Sequence, residues 1–277
     1  MSNKKVWFVT GASKGLGRDL VRKLLAAGYP VAATSRNLDE LRKIDTSDNF
    51  LPLTMQVNDE TSVAKALADT VAHFGRVDVV VNNAGYGIVG SLEELTDQEA
   101  RANFDINVFG TLNVVRKAMP YFRAQHSGHI FNVSSIAGFT GNFPGFGIYC
   151  ATKFAVDGLS ESLAAEAKPF GIHVTIVSPG YFRTDFLTTT SLAVPANPIA
   201  DYTAVREAQD VHLNQINHNQ AGDPEKAADA FIRVSEVENP PVHLFLGEDA
   251  YQLVHAKIDA IKGELETWKE TTVNTGF

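Results

Sequence analysis

With one cysteine, Cys150, the chain can form no internal disulfide, and a cytoplasmic setting is the expectation. Basic residues are in the minority: 24 Lys and Arg stand against 32 Asp and Glu, a formal charge of −8. That balance argues against the cationic footprint that grips a nucleic-acid backbone. No apolar run reaches about 18 residues, and Met1-Ser2-Asn3-Lys4-Lys5 carries no hydrophobic leader. Neither a membrane partner nor a signal segment is expected. The histidines form no HExxH pair and no Cys/His ligand spacing, so no metal is expected. His212 and His218 fall in a polar stretch and read as solubilising. Repeats, low-complexity tracts and linkers are also missing.

What is present is a chain of 277 residues, 44% apolar and 20% charged, enough for a sizeable core. Apolar, β-branched runs fall at 5–9, 30–34, 51–55, 77–81, 128–133, 172–177 and 242–246, with helical patterns between them. The alternation predicts an α/β fold, a doubly wound parallel sheet of about seven strands covered on both faces. One three-layer α/β/α domain over 1–277 is the natural reading. A long helix is expected from Asp97 through Phe104, Val108 and Leu112 to Met119, and another from before Tyr149 to about Lys168. A third, from Ala250 to about Lys269, carries Leu253, Val254, Ile258, Ile261, Leu265 and Trp268 on a face expected to pack on the domain. The least regular stretch is about 185–222. It ends at Asp223-Pro224-Glu225, a helix start with Asp as cap and Pro in the first turn.

The most informative residues are Tyr149 and Lys153, four apart and so on one helix face. A phenol has an unperturbed pKa near 10, and a neighbouring cation lowers it. Reaching about 7 needs roughly 4 kcal/mol and makes the Tyr a usable general acid/base. Cys150, next in sequence, points elsewhere and reads as a small buried hydrophobe. At the N-terminus, Val6-Trp7-Phe8-Val9 leads into Thr10-Gly11-Ala12-Ser13-Lys14-Gly15-Leu16-Gly17 and then a helical pattern. Strand, glycine turn and helix make the setting in which a pyrophosphate is bound. Asn82-Asn83-Ala84-Gly85 follows the strand-like 77–81, and Asn132-Val133-Ser134-Ser135 closes 128–133. Ser135 is placed to hydrogen-bond a substrate oxygen beside the phenol; strand alternation turns Ser134 the other way.

Taken in order, these motifs resemble the short-chain dehydrogenase/reductase family over nearly the whole chain: TGASKGLG at 10–17, NNAG at 82–85, Asn107, Ser135, Tyr149 with Lys153, and Ser178-Pro179-Gly180 followed by Thr184. The resemblance implies a Rossmann-type, NAD(P)-dependent oxidoreductase acting on a carbonyl/alcohol pair. It implies that Tyr149 exchanges the proton, Lys153 lowers the Tyr pKa and holds the nicotinamide ribose, and Ser135 orients the carbonyl. Asn107 would bind a water in a relay through Lys153. The cofactor would meet Gly11, Ser13, Lys14, Gly15, Leu16 and Gly17, then Val57, Asn83, Ala84 and Gly85, then Tyr149, Lys153, Pro179, Gly180, Phe182 and Thr184. The family often has Asp after its third strand, against adenine; here Gln56 stands there. The resemblance also implies a mobile lid within about 185–222, and pairing through the two long helices as a homodimer or homotetramer.

The second strand ends Thr34-Ser35-Arg36 without the acidic residue that selects the ribose hydroxyl of NAD. Arg36, with Lys14 in the glycine loop, suits a 2′-phosphate. Each charge-assisted bond is worth about 1.5–3 kcal/mol, so NADP(H) is expected. Phe139, Phe143 and Phe146 before the Tyr, and Tyr181, Phe182, Phe186 and Leu187 after Pro179-Gly180, suggest a pocket for a hydrophobic ketone, aldehyde or alcohol. The expectation is an NADPH-dependent carbonyl reductase, reversible as an alcohol dehydrogenase. Two readings from other classes stand beside it: a non-catalytic NADP-binding regulator, and an epimerase or dehydratase that retains its nicotinamide.

Overall fold

The computed structural model describes residues 4–277. Met1, Ser2 and Asn3, on which the expectation about a leader partly rests, lie outside the described residues. The strands are β1 (Trp7–Thr10), β2 (Val31–Ser35), β3 (Phe50–Thr54), β4 (Val79–Asn82), β5 (Gly87–Ile88), β6 (Gly128–Val133), β7 (Ile172–Pro179), β8 (Leu192–Ala193) and β9 (His243–Leu246). Seven form one sheet in the order β3-β2-β1-β4-β6-β7-β9, every neighbour parallel. The remaining two, β5 and β8, make a separate parallel pair. The helices are α1 (Gly15–Ala26), α2 (Leu38–Arg42), α3 (Glu60–Phe74), α4 (Asp97–Phe104), α5 (Thr111–Gln125), α6 (Gly147–Ala167), α7 (Thr203–Asp210), α8 (Pro224–Ser235), α9 (Glu248–Thr267) and α10 (Lys269–Val273). This is the expected seven-stranded Rossmann-like sheet with helices on both faces.

Alternation along the strands divides the core. Phe8, Ala32, Val80 and Ile130 point to one face, where α3, α5 and α6 supply Val63, Leu67, Val114, Ala118 and Leu163. Trp7, Val9, Val31, Val79, Val81 and Phe131 point to the other, against Leu20, Val21 and Leu24 of α1 and Phe231 of α8. Each fully buried large side chain contributes about 1.5–3 kcal/mol. Strand order reverses between β1 and β4, and ligand crevices open at such a point, beyond the strands' C-terminal ends.

The long helix expected from Asp97 to Met119 departs from plain regularity. Between α4 and α5 the chain winds as a π-helix over Asp105–Gly110. Asn107 sits inside it. Capping is by Thr96 and Glu99 at α4, which form a reciprocal box, and by Asp223 at α8, with Pro224 at the first turn.

The C-terminal helix corrects an expectation. Only its start packs on the domain: Ala250 and Val254 are buried, and Leu253 and Ile258 are partly so, against Ile136, Phe139 and Phe245. Ile261, Leu265 and Trp268 are 40%, 55% and 64% exposed, because the apolar cluster that α9 joins ends at Ile258.

Candidate active site

The glycine loop closes on β4 at van der Waals limits. Gly11 has φ +64°, and an added Cβ would lie 2.7 Å from Ala84 Cα. At Gly17 a Cβ would lie 2.5 Å from Asn83 Nδ2. Glycine is therefore required at Gly11 by backbone shape and space, and at Gly17 by space alone. Asn83 staples the loop: its Nδ2 donates to the carbonyls of Thr10 and Gly11, each at 3.0 Å. Thr10 answers by accepting the Asn83 and Ala84 N–H groups at its hydroxyl, each at 3.0 Å. Thr10 opens the TGASKGLG motif but is not among the expected site residues.

A single cavity of about 690 Å³ runs across the sheet's C-terminal edge. Gly11, Ser13, Lys14, Gly15, Leu16, Arg36, Gln56, Val57, Asn83, Ala84 and Gly85 line it, and so do Tyr149, Lys153, Pro179, Gly180, Phe182 and Thr184. Gly17 is buried beneath the loop and does not reach it. Strands β2 and β6 are three spacings apart in the sheet, about 14 Å. Arg36 and Ser135, which follow them, therefore lie well separated along an elongated site. Arg36 forms no hydrogen bond or ion pair among the described residues, and its charge acts on Lys14, so the two cations are neighbours. Lys14 is not free: its Nζ donates to Ser191 Oγ (2.6 Å) and to Thr190 Oγ1 and O (3.2 Å each). Burial lowers the Lys14 pKa, Asp185 raises it and Arg36 lowers it further.

Asn107 lies behind this wall. Its Oδ1 accepts the Tyr86 N–H (3.0 Å), and its Nδ2 donates to Tyr86 O (3.0 Å) and Thr152 Oγ1 (3.1 Å). A Cβ on Gly85 would be 3.0 Å from Asn107 Oδ1 and 3.8 Å from Lys153 Nζ. The carboxamide thus braces the strand-end loop against α6 and does not open onto the cavity.

Ser135, Tyr149 and Lys153 do meet there. The Ser135 hydroxyl accepts the Ala137 N–H (3.1 Å) and favours the ionised form of the Tyr149 phenol. Ser134 points the other way, toward the Lys153 carbonyl (3.4 Å) and the Asp157 carboxyl, as strand alternation requires. Lys153 Nζ donates to Val133 O at 2.9 Å and lies 5.7 Å from the centre of the Tyr149 ring. The electrostatics differ from the expectation of a phenol lowered by its lysine. Burial drives the Tyr149 pKa up, past what Ser135 restores. Burial also holds Lys153 down to about 8, against the opposing pull of Asp157. At neutral pH the phenol keeps its proton.

Asp157 extends the Tyr149–Lys153 ladder by one more turn. Burial pushes its carboxyl up to about 6, against Ser134, Lys153 and His243. The i, i+4 spacing alone could have flagged it. Asp249 was also missed. Its Oδ2 accepts the Tyr181 N–H at 2.7 Å, and its carboxylate takes the space beside Gly180 where a Cβ would fall. Cys150 is buried, its thiol pushed up to about 11 by desolvation, in line with an inert packing role.

Phe143, Phe146, Tyr181, Phe186 and Leu187 line the cavity. Phe139 does not: its ring packs edge-on to Phe245 at 5.3 Å, under α9. An aromatic run before the Tyr does not say which rings turn inward. His212 reverses its reading as a solubilising residue. It lines the cavity, stacks at a tilt 4.6 Å from Phe146 and hydrogen-bonds Tyr181. Gln220 also lines the cavity and is buried. Among the described residues no His/Cys/Asp/Glu group could hold a metal, and no helix is long and apolar enough to cross a membrane.

The sequence model of the short chain dehydrogenases matches residues 5–194. The chain belongs to the short-chain dehydrogenase family. It is 33% identical over 272 residues to oxidoreductase BOA17 of Botryotinia fuckeliana, across 97% of this chain and 98% of that protein. To a 3-ketodihydrosphingosine reductase of Bacteroides thetaiotaomicron it is 34% identical over 243 residues, 88% of each. A crystal structure of a short-chain dehydrogenase from Streptomyces avermitilis superposes with TM-score 0.90 at 38% identity, covering 98% of this chain and all of that one. The protein is thus an oxidoreductase of a family that uses nicotinamide cofactors on small molecules. The residues fit such a cofactor: a glycine loop at a helix start, adjacent cations at one part of an elongated cavity, and a buried phenol at another.

Proposed function

We propose that this short-chain dehydrogenase is an NADPH-dependent reductase of hydrophobic ketones or aldehydes, reversible as an alcohol dehydrogenase. The observation that carries the reading is the meeting of Ser135, Tyr149 and Lys153 at a cavity walled by Phe143, Phe146, Phe186 and Leu187. The bound nicotinamide supplies the hydride. Tyr149 gives its hydroxyl proton to the carbonyl oxygen, and Ser135 donates a hydrogen bond to the same oxygen. A phenol held protonated by burial is in the donating form, which suits reduction. The Lys153 ammonium steadies the phenolate left behind and, with a pKa of about 8, can return a proton. Lys14 and Arg36 would share the 2′-phosphate of NADP(H), and Gln56 would accept from the adenine amine.

The relative from Bacteroides is named a reductase of a keto compound, which supports the direction. Residues 185–222 act as a lid, and the protein is taken as one domain in the cytoplasm. Half-exposed Phe109 and Phe154, on the helices flanking the site, support pairing of copies there. The test is a parallel titration with NADPH and NADH by cofactor fluorescence, followed by NADPH oxidation with a panel of hydrophobic ketones. NADPH binding at least about tenfold tighter, with turnover, is expected. Equal binding would overturn the Arg36 and Lys14 assignment. Tight binding without turnover of any ketone would overturn the reductase reading.

A further inference from the structure

Strand β7 leaves the sheet at Pro179, whose register partner Leu246 is the last residue of β9. Beyond that pair the chain runs along the cavity. Gly180, Tyr181, Phe182, Thr184 and Phe186 all line it, and the Phe186 ring comes 5.9 Å from the ring of Tyr149. The sheet supplies one more bond, from Gly180 N to Leu246 O (2.8 Å). The next N–H, that of Tyr181, has no strand to meet, and Asp249 Oδ2 accepts it at 2.7 Å. Further on, Gly222 N donates to Tyr181 O (3.0 Å) and Arg183 N to Gly222 O (2.9 Å). Gly222, however, belongs to the stretch proposed as a lid. Among the described residues, Asp249 thus gives 180–184 its last hydrogen bond from outside that stretch.

The carboxylate is built into this place. A Cβ on Gly180 would run into both of its oxygens, and a Cβ on Gly247, where φ is +102°, into Oδ1. Asp249 lies in the first turn of α9, yet it does not cap the helix. The N-cap is Gly247, which has no side-chain cap bond, and the carboxylate reaches across to Tyr181 instead. Ala250, fully buried, pins that turn against the domain. A bond from an N–H to a carboxylate is charge-assisted and stronger than a neutral one.

We propose that Asp249 is a positioning residue for the cofactor: by holding Tyr181 N it sets the 180–184 wall against the nicotinamide half, at the Tyr149 end of the cavity. The inference rests on reading the cavity as a nicotinamide cofactor site. Arg36 follows β2, four spacings from β7 in the sheet, about 19 Å. Loss of the Asp249 bond is therefore felt by the nicotinamide half and not by the adenosine half with its 2′-phosphate.

The experiment uses the full-length protein. It measures, by calorimetry, binding of NADPH and of adenosine 2′,5′-bisphosphate, which lacks the nicotinamide half. Asp249→Ala should weaken NADPH by about tenfold and leave the bisphosphate within about twofold of the wild type. Asp249→Asn keeps an oxygen for the Tyr181 N–H and should hold NADPH within about threefold. Gly180 is not in the left-handed region, so Gly180→Ala tests space alone. It should push the carboxylate off Tyr181 N and weaken NADPH, yet add no loss in the Asp249→Ala background. Equal losses for both ligands, or no loss for NADPH, overturn the positioning role. So does an Asn variant as weak as the Ala variant, or additive losses in the double variant. The expected pattern of binding, without turnover of any ketone by the wild type, upholds the role and rejects the reductase reading instead.

Discussion

On the floor of the cavity, neutral amides fix the working parts: Asn83 on the glycine loop, Asn107 on Tyr86 and Thr152. Over it, the stretch proposed as a lid, 185–222, is fixed mostly by charged groups. Glu94, its side chain fully buried, accepts from Ile199 N (2.7 Å) and at both oxygens from Arg206 Nη2 (2.8 Å each). Burial pushes the Glu94 carboxyl up, but the N–H bonds from Ser91 and Ile199 and the Arg206 charge hold it below its ordinary value. Glu99 takes the Ala196 N–H (3.1 Å), the Tyr202 hydroxyl donates to Glu93 (2.5 Å), and Lys14 reaches Ser191. Sheet-type bonds tie this stretch at β5 with β8 and at the Phe182–Gly222 bridge. Neutral bonds keep a geometry whatever the salt or pH, whereas partly exposed charged ties weaken with both. The proposal that 185–222 opens while the floor stays in place rests on that contrast.

Breaking the floor has the largest expected effect. Lys153→Met should lower kcat by about 10²- to 10⁴-fold and leave proteolytic cutting of the lid unchanged. The converse, Arg206→Ala, strands Glu94 as an unpaired buried charge. Allowing for the 30% exposure of Arg206, about 2 kcal/mol is lost, or roughly 30-fold faster cleavage near 194–202, with NADPH affinity moved less than about threefold. Lys14→Met removes the tie that belongs to both regions. NADPH affinity should fall by about tenfold, and lid cleavage should accelerate with it. Either change without the other would separate what the contact joins.

The same contrast explains what could be read from the chain. All seven sheet strands, the glycine loop and the Tyr149–Lys153 face obey short periods and local motifs, so they were legible. The lid's ties are not periodic. Ser191, Arg206 and His212 reach partners far away in sequence, so a polar stretch looked like surface. Phe139 and α9 failed for another reason: an apolar stripe marks a face but not what lies opposite it. The Tyr149 pKa moved against expectation because spacing reveals a neighbouring cation and not the depth of burial.

Asp157→Asn probes the smallest effect, inside the floor. The Asp157 carboxylate raises the Lys153 pKa, which burial holds near 8. Without that charge the Lys153 pKa falls, and its ammonium form is lost at lower pH. The alkaline decline of kcat should therefore move toward neutrality, and any acid limb near 6 belonging to Asp157 should vanish. A pH–rate profile checks both. An alkaline limb that stays or moves upward would contradict the coupling.

The most direct test of Tyr149 as proton donor is Tyr149→Phe, followed by NADPH fluorescence and NADPH oxidation with the best ketone found. The expected result is NADPH affinity within about threefold of the wild type and turnover reduced by at least about 10²-fold. A variant that binds NADPH and turns over at near the wild-type rate would show that the proton comes from elsewhere.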